Sequence, residues 1–242
     1  MIAVWRLARL VPHVLHGLWI VKRRFDLLTA PERHGLIQWW SVKTLRILGI
    51  TLKVNGTALP TGHLLVANHV SWLDIAAVHA VLPQARFVSK ADVKHWPLVG
   101  ALVEGAGTLF IERTSKRDAL RVVHQTAAAL QAGDCVAVFP EGTTGAGPEL
   151  LPFHANLLQA ALSVNAPVLP VVLRWHEPGE RFSTAARFIG DTTLVQSLWR
   201  IAAARGLAVD VQVLPSVAAE GQDRRALGAA LRARIAERLA GN

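Results

Sequence analysis

The arrangement in this chain best suited to moving a proton is a histidine five residues ahead of an aspartate, in Asn68-His69-Val70-Ser71-Trp72-Leu73-Asp74. A neutral imidazole near pH 7 can take a proton from an alcohol. A carboxylate on its other nitrogen fixes the tautomer and steadies the cation that forms. The pair follows the apolar run Leu64-Leu65-Val66-Ala67, which reads as a short buried strand. It precedes an apolar stretch, Ile75 to Leu82, that reads as the start of a helix. Both groups are therefore expected at a strand-to-helix junction, where loops carry chemistry on a rigid scaffold. Ser71 is the only hydroxyl between them, and no Gly-x-Ser-x-Gly elbow is present. The dyad is built to activate a substrate's hydroxyl rather than one of the chain's own.

Such a spacing is common by chance, so two further clusters matter. Gly107-Thr108-Leu109-Phe110-Ile111-Glu112-Arg113 reads as a strand that runs out into an arginine, followed by Thr114-Ser115-Lys116-Arg117. A guanidinium there can hold a phosphate through paired hydrogen bonds. Phe139-Pro140-Glu141-Gly142-Thr143-Thr144-Gly145 follows the next strand. Its glycines permit close backbone approach to a ligand, and its amides and hydroxyls can bind head-group oxygens. Taken singly, the first cluster reads as a surface ion pair and the second as a plain turn.

The elements that must position these groups alternate. Strands are expected at His63–Asn68, Ala85–Ser89, Thr108–Glu112, Cys135–Phe139, Val168–Leu173 and Leu207–Leu214. Helical spacing runs over Asp118–Ala132, through Leu120, Val123, Ala127 and Leu130, and over Phe153–Val164. A final amphipathic helix is expected from about Asp223 to Leu239. Strands alternating with helices predict an α/β domain with a mostly parallel central sheet flanked by helices. Its boundaries are set at residues 53–242, behind an N-terminal pair of amphipathic helices over residues 1–52.

That N-terminal stretch has its own texture. Eight basic residues stand there against Asp26 and Glu32, giving +6 of the total charge of +9. Trp5, Trp19, Trp39 and Trp40 are half of the eight tryptophans, in a chain without tyrosine. Arginine, lysine and tryptophan interleaved with aliphatic residues are what a membrane interface selects. The longest uncharged run, Leu10 to Val21, reaches only ~18 Å as a helix, against a hydrocarbon core of ~30 Å. With a second amphipathic stretch over Leu36–Ile50, the expectation is two short helices dipping into one leaflet, with Lys22-Arg23-Arg24 at anionic headgroups. The bland alternative is a helical pair packed on the protein's own core. No small-x-small site follows that would mark a signal peptide. The basic residues sit among apolar runs without a stacking motif, which argues against nucleic acid. A single cysteine, Cys135, excludes an intrachain disulfide and fits a reducing compartment. No histidine or cysteine spacing suggests a metal site.

Four motifs occur in order: Asn-His-x4-Asp, Gly-x-x-Phe-Ile-x-Arg, Phe-Pro-Glu-Gly-Thr, and the Pro-flanked strand Ala166-Pro167-Val168-Leu169-Pro170-Val171. Over roughly residues 60–175 the chain resembles the 1-acylglycerol-3-phosphate acyltransferase (PlsC-type) family. The resemblance implies a membrane-associated enzyme on the cytoplasmic face of the inner membrane, peripheral or monotopic. Such an enzyme esterifies a lysophospholipid with an acyl chain from acyl-CoA or acyl carrier protein, without a cofactor. It implies His69 as general base, Asp74 as its orienting partner, and Arg113, Glu141, Gly142 and Thr143 on the acceptor side. Asn68 and Ser71 would support the loop that presents His69, with Lys90 facing the head group or donor and Phe110 part of the second motif. Two positions depart from the family pattern. Thr144 stands where an arginine is usual, and His154 where members that use lysophosphatidate often carry lysine. Thr143-Thr144 resembles relatives that acylate lyso-ornithine lipid, so that acceptor stands beside 1-acylglycerol-3-phosphate. Two readings of other kinds remain: a non-catalytic lipid-binding module, and a thioesterase in which water replaces the alcohol.

Overall fold

The computed structural model describes residues 1–57, 62–96, 98–111 and 116–241, apart from the side chains of 116, 117 and 119. Helices α1 (Ile2–Arg24) and α2 (Ala30–Ile47) lead into strand β1 (Thr51–Asn55) and then β2 (Leu64–Ala67). There follow α3 (Leu73–Val81), β3 (Ala85–Lys90), α4 (Val99–Gly105), β4 (Leu109–Ile111), α5 (Lys116–Gln131) and β5 (Cys135–Val138). The chain ends with α6 (Leu158–Ser163), β6 (Val168–His176), α7 (Leu194–Ala203), β7 (Ala208–Val213) and α8 (Arg224–Ala240). The strands form one sheet in the order β1-β7-β6-β2-β5-β3-β4. Every neighbouring pair is parallel except β6 with β7. The expected mostly parallel α/β sheet is therefore what forms.

The central strands β2 and β5 are buried along their whole length, which is why they read as unbroken apolar runs rather than alternating ones. Two cores result. One face of the sheet packs on α1, α2, α3 and α7 through Leu10, Leu45, Leu48, Leu73 and Ile201. The other packs on α5, α6 and α8 through Leu130, Leu158, Leu227, Leu231 and Ile235. β6 serves both, with Leu169, Val171, Leu173 and Trp175 turned to the first core and Val168 and Val172 to the second.

The N-terminal helices are longer than the apolar runs that signalled them. α1 covers 23 residues, ~35 Å at ~1.5 Å per residue, because Arg6 does not interrupt its outer face. Arg6 turns inward and is buried, its Nη1 donating to the carbonyls of Ala202 (3.0 Å) and Ala204 (2.7 Å) at the C-terminus of α7. A cation is favoured at that end of a helix, where the last carbonyls lack partners. Gly49, at φ +74°, leaves room for it: a Cβ there would lie 2.0 Å from Arg6 Nη2. His13 is also buried, stacked on Trp40 and bonded to Thr44 Oγ1 at 3.1 Å. α2 starts at a capping box in which Thr29 and Glu32 satisfy each other's end of the helix. The outer face of α1 keeps Val4, Trp5, Val11, Leu15 and Trp19 exposed, and the Arg9 guanidinium lies 4.3 Å from the Trp5 ring. Among the described residues no helix is long and apolar enough to cross a membrane.

One buried group makes stability depend on pH. His79 on α3 lies under the sheet, its Nε2 donating to Ala85 O at 2.9 Å, and burial pushes its pKa down to about 4, with nearby His34 acting the same way. Between pH 6.5 and 4 the unfolded chain takes up a proton that the folded one refuses, so stability falls as pH falls. The full effect is about 3 kcal/mol. Denaturant midpoints between pH 7 and pH 4.5 are expected to fall, and His79→Gln to flatten that slope.

Candidate active site

β2, β5, β3, β4 and β6 all point their C-terminal ends to one edge of the sheet. The sequence motifs gather there, as expected where ligands bind outside the carboxyl ends of parallel strands. His69 follows β2 by two residues, and Asp74 lies in the first turn of α3. His69 Nδ1 stands 2.8 Å from Asp74 Oδ2. The same oxygen accepts the amides of Val70 (2.7 Å) and Ser71 (2.9 Å), and the helix start adds its own favourable dipole. Asp74 is wholly buried, whereas the His69 side chain keeps 19% of its surface. With Nδ1–H given to the carboxylate, Nε2 is the nitrogen left with the lone pair.

The imidazole plane is fixed by Phe139, stacked on it at 3.9 Å and 6°, with Phe87 behind Phe139 at 5.4 Å. Asn68 locks the junction from the other side. Its amide donates to Leu173 O (2.9 Å) and accepts from Leu173 N (2.8 Å), joining the end of β2 to β6 in place of a ladder bond. Ser71 Oγ accepts from Leu73 N at 3.3 Å and so helps start α3.

Glu141 is buried, and both its oxygens are taken. Oε1 accepts the His69 amide at 2.7 Å, and Oε2 accepts the Leu151 amide at 2.8 Å. Burial pushes its carboxyl above the ordinary value, and the two amides pull against that. Its carboxylate ties the histidine loop to the Pro-Glu-Gly loop, so it reaches the acceptor side through the loop it holds. Gly142 closes a turn at φ +71°, with its amide on Phe139 O at 3.0 Å, and Thr143 stands exposed beyond it. Gly145 donates to His69 O at 2.7 Å, and a Cβ there would sit 3.3 Å from Glu141 Oε2. Thr144 Oγ1 donates to Phe188 O, while the Phe188 amide donates to Val70 O at 3.0 Å. The chain after β6 is thereby laid along both loops.

Lys90 and Phe110 lie on the same edge, farther out. Lys90 is exposed at the end of β3, paired with Ile111. Phe110 is half-buried, with the Lys94 ammonium 5.9 Å from its ring. Arg113 lies outside the described residues. Among the described residues no group of three or more His, Cys, Asp or Glu side chains could hold a metal ion. Sequence reading gives no role to Phe139, Leu151 or Trp175, although each touches the His69–Glu141–Asp74 cluster. Phe139 at least sits inside a motif. The other two carry no local signal.

An α/β sheet that carries a His–Asp dyad and a glycine-bearing acidic turn at its carboxyl edge defines a class, and the comparisons agree. The acyltransferase family model matches residues 51–174, and the chain belongs to that family. It is an acyltransferase. Its relatives include the 1-acyl-sn-glycerol-3-phosphate acyltransferase of Neisseria gonorrhoeae, 43% identical over 187 residues, or 76% of this chain and 72% of that one. The lyso-ornithine lipid O-acyltransferase of Pseudomonas aeruginosa is 39% identical over 210 residues, 87% of this chain and 80% of its own. The fold matches the crystal structure of the 1-acyl-sn-glycerophosphate acyltransferase PlsC from Thermotoga maritima with a TM-score of 0.66, over 98% of this chain and 99% of that one at 19% identity.

Proposed function

We propose that this acyltransferase is membrane-associated and esterifies the free hydroxyl of a lysophospholipid, 1-acylglycerol-3-phosphate giving phosphatidic acid, with acyl-CoA or acyl carrier protein as donor. The observation that carries the reading is the His69–Asp74 contact of 2.8 Å, in which Nδ1 is committed and Nε2 keeps the lone pair on a part-exposed ring. His69 Nε2 takes the proton of the acceptor hydroxyl as its oxygen attacks the thioester carbonyl. A C–O bond forms, the C–S bond breaks, and the thiolate leaves with the proton that His69 held. No residue of the chain needs to carry the acyl group. Arg113, Gly142 and Thr143 form the acceptor side, held by Glu141, with Lys90 at the rim. The exposed apolar face of α1, with Arg9 against Trp5 and Lys22-Arg23-Arg24 in its last turn, supports a bilayer surface at the cytoplasmic side.

A second acceptor, lyso-ornithine lipid, is favoured by one feature. Thr144 gives its hydroxyl to the Phe188 carbonyl and brings no cation to the head group, and His154 is exposed with its amide on Pro140 O. Transfer of a labelled acyl chain from acyl-CoA by purified protein in detergent, with both lysolipids as parallel acceptors, decides between them. Phosphatidate alone is the expected product, and its formation should fall at least about tenfold in Arg113→Ala, the loss of one charge-assisted contact. Product from the ornithine lipid alone would move the assignment to that acceptor. Thioester hydrolysis as fast without acceptor as with it would overturn lipid transfer altogether.

A further inference from the structure

We infer that Trp175 is a positioning residue of the catalytic dyad, acting through Asp74. The inference rests on the reading of His69 and Asp74 as base and orienting partner. The Asp74 carboxylate divides its bonds unevenly. Oδ2 takes three donors, from His69, Val70 and Ser71, all within five residues of it in sequence. Oδ1 takes one, the indole Nε1–H of Trp175 at 2.6 Å, from 101 residues away. No other donor reaches Oδ1 among the described residues, and the site is closed: Trp175 keeps 2% of its surface and Asp74 none. Water cannot take the place of the indole without rearrangement.

The strand register explains how this tryptophan arrives. Asn68 clamps Leu173, two residues earlier on β6, and strand side chains repeat every second residue, so Trp175 emerges on the α3 side of the sheet one step beyond the clamp. There it meets the first turn of α3. β7 holds the position by pairing Trp175 with Val209. A bulky core filler would satisfy the same volume. What distinguishes Trp175 is that its single polar atom is spent on the one carboxylate oxygen that the local loop leaves unserved. Without that bond Oδ1 is buried with no donor, and the carboxylate that orients His69 Nδ1 is anchored through Oδ2 alone.

The test uses two replacements in the full-length protein. Trp175→Phe removes the N–H and part of the volume. Replacement of Trp175 by 3-benzothienylalanine keeps the bicyclic shape and puts sulfur where the N–H was. A lost hydrogen bond to a charged group is expected to lower kcat about 10- to 100-fold in both. KM for acceptor and donor is expected to stay within about twofold, as for a group that acts in the transition state alone, with the folded fraction of the benzothienyl variant unchanged. Should Trp175→Phe fail to fold, the benzothienyl protein alone decides. Full kcat in that variant, or a loss confined to KM, would overturn the inference. The two readings fail separately. Activity surviving in His69→Ala removes the base assignment itself, whereas an inactive His69→Ala beside a fully active benzothienyl variant removes only the role of Trp175.

Discussion

His69→Ala is expected to lower kcat for acyl transfer by about 10²–10⁴-fold while leaving the thermal midpoint and vesicle binding near those of the parent. The side chain contributes little to the fold. Its ring is part-exposed, and it stacks on Phe139 rather than filling the core. The amide that ties its loop to Glu141, and the carbonyl that accepts from Gly145, belong to the backbone and survive the change. Loss of the ring does weaken one buried acceptor, since Asp74 Oδ2 keeps only the Val70 and Ser71 amides, so a small destabilisation is expected with the large kinetic loss. A single-turnover assay with acyl-CoA and lysophosphatidate reads this directly. Transfer at more than about a tenth of the parental rate would exclude His69 as the base.

Asn68→Ala should do the opposite, damaging the fold first and the chemistry as a consequence. Asn68 is 1% exposed, and its amide satisfies both the N–H and the C=O of Leu173. Truncation leaves two backbone groups buried without partners, at about 1–3 kcal/mol each. A loss of about 2–5 kcal/mol in unfolding free energy follows, a large share of the stability of a domain this size. Asn68→Asp should be worse, since it sets a carboxylate oxygen against the Leu173 carbonyl in a site closed to water. Urea titration of both variants beside His69→Ala would separate the roles. A clamp loses stability and activity together, and a base loses activity with only a small loss of stability.

The parts of the site that were legible in the sequence are those whose partners are close along the chain. His69 and Asp74 are five residues apart at one strand-to-helix junction, so their meeting follows from local geometry once β2 and α3 are placed. The same holds for the turn at Gly142. What could not be read depends on register between strands far apart in sequence. Trp175 reaches Asp74 because Asn68 fixes β6 against β2, and no periodicity in either segment announces that. The long buried strands were visible as apolar runs. β1 was not, because four of its five residues are exposed and it borders only β7. The helix expected over Phe153–Val164 begins at Leu158. His154 gives its amide to Pro140 O, so the residues before the helix serve the acidic turn instead. Arg6 also gave no sign of its role, because the carbonyls it caps, those of Ala202 and Ala204, lie 196 and 198 residues away.

That cap has a mechanical consequence. Arg6 fastens α1 to the end of α7, and the buried Ser197 on α7 accepts a hydrogen bond from the Trp72 indole (3.1 Å), two residues ahead of Asp74. Helix, strut and catalytic loop are therefore joined in series by these side-chain hydrogen bonds. The placement of α1 relative to the loop that presents His69 is thus set by hydrogen bonds through α7 as well as by the chain that connects them. A version of the protein trimmed of α1 to make it easier to handle would not be the same machine set adrift. It would have an uncapped α7, an open seam beside Gly49, and a Trp72 contact that rests on a helix no longer fastened at its end.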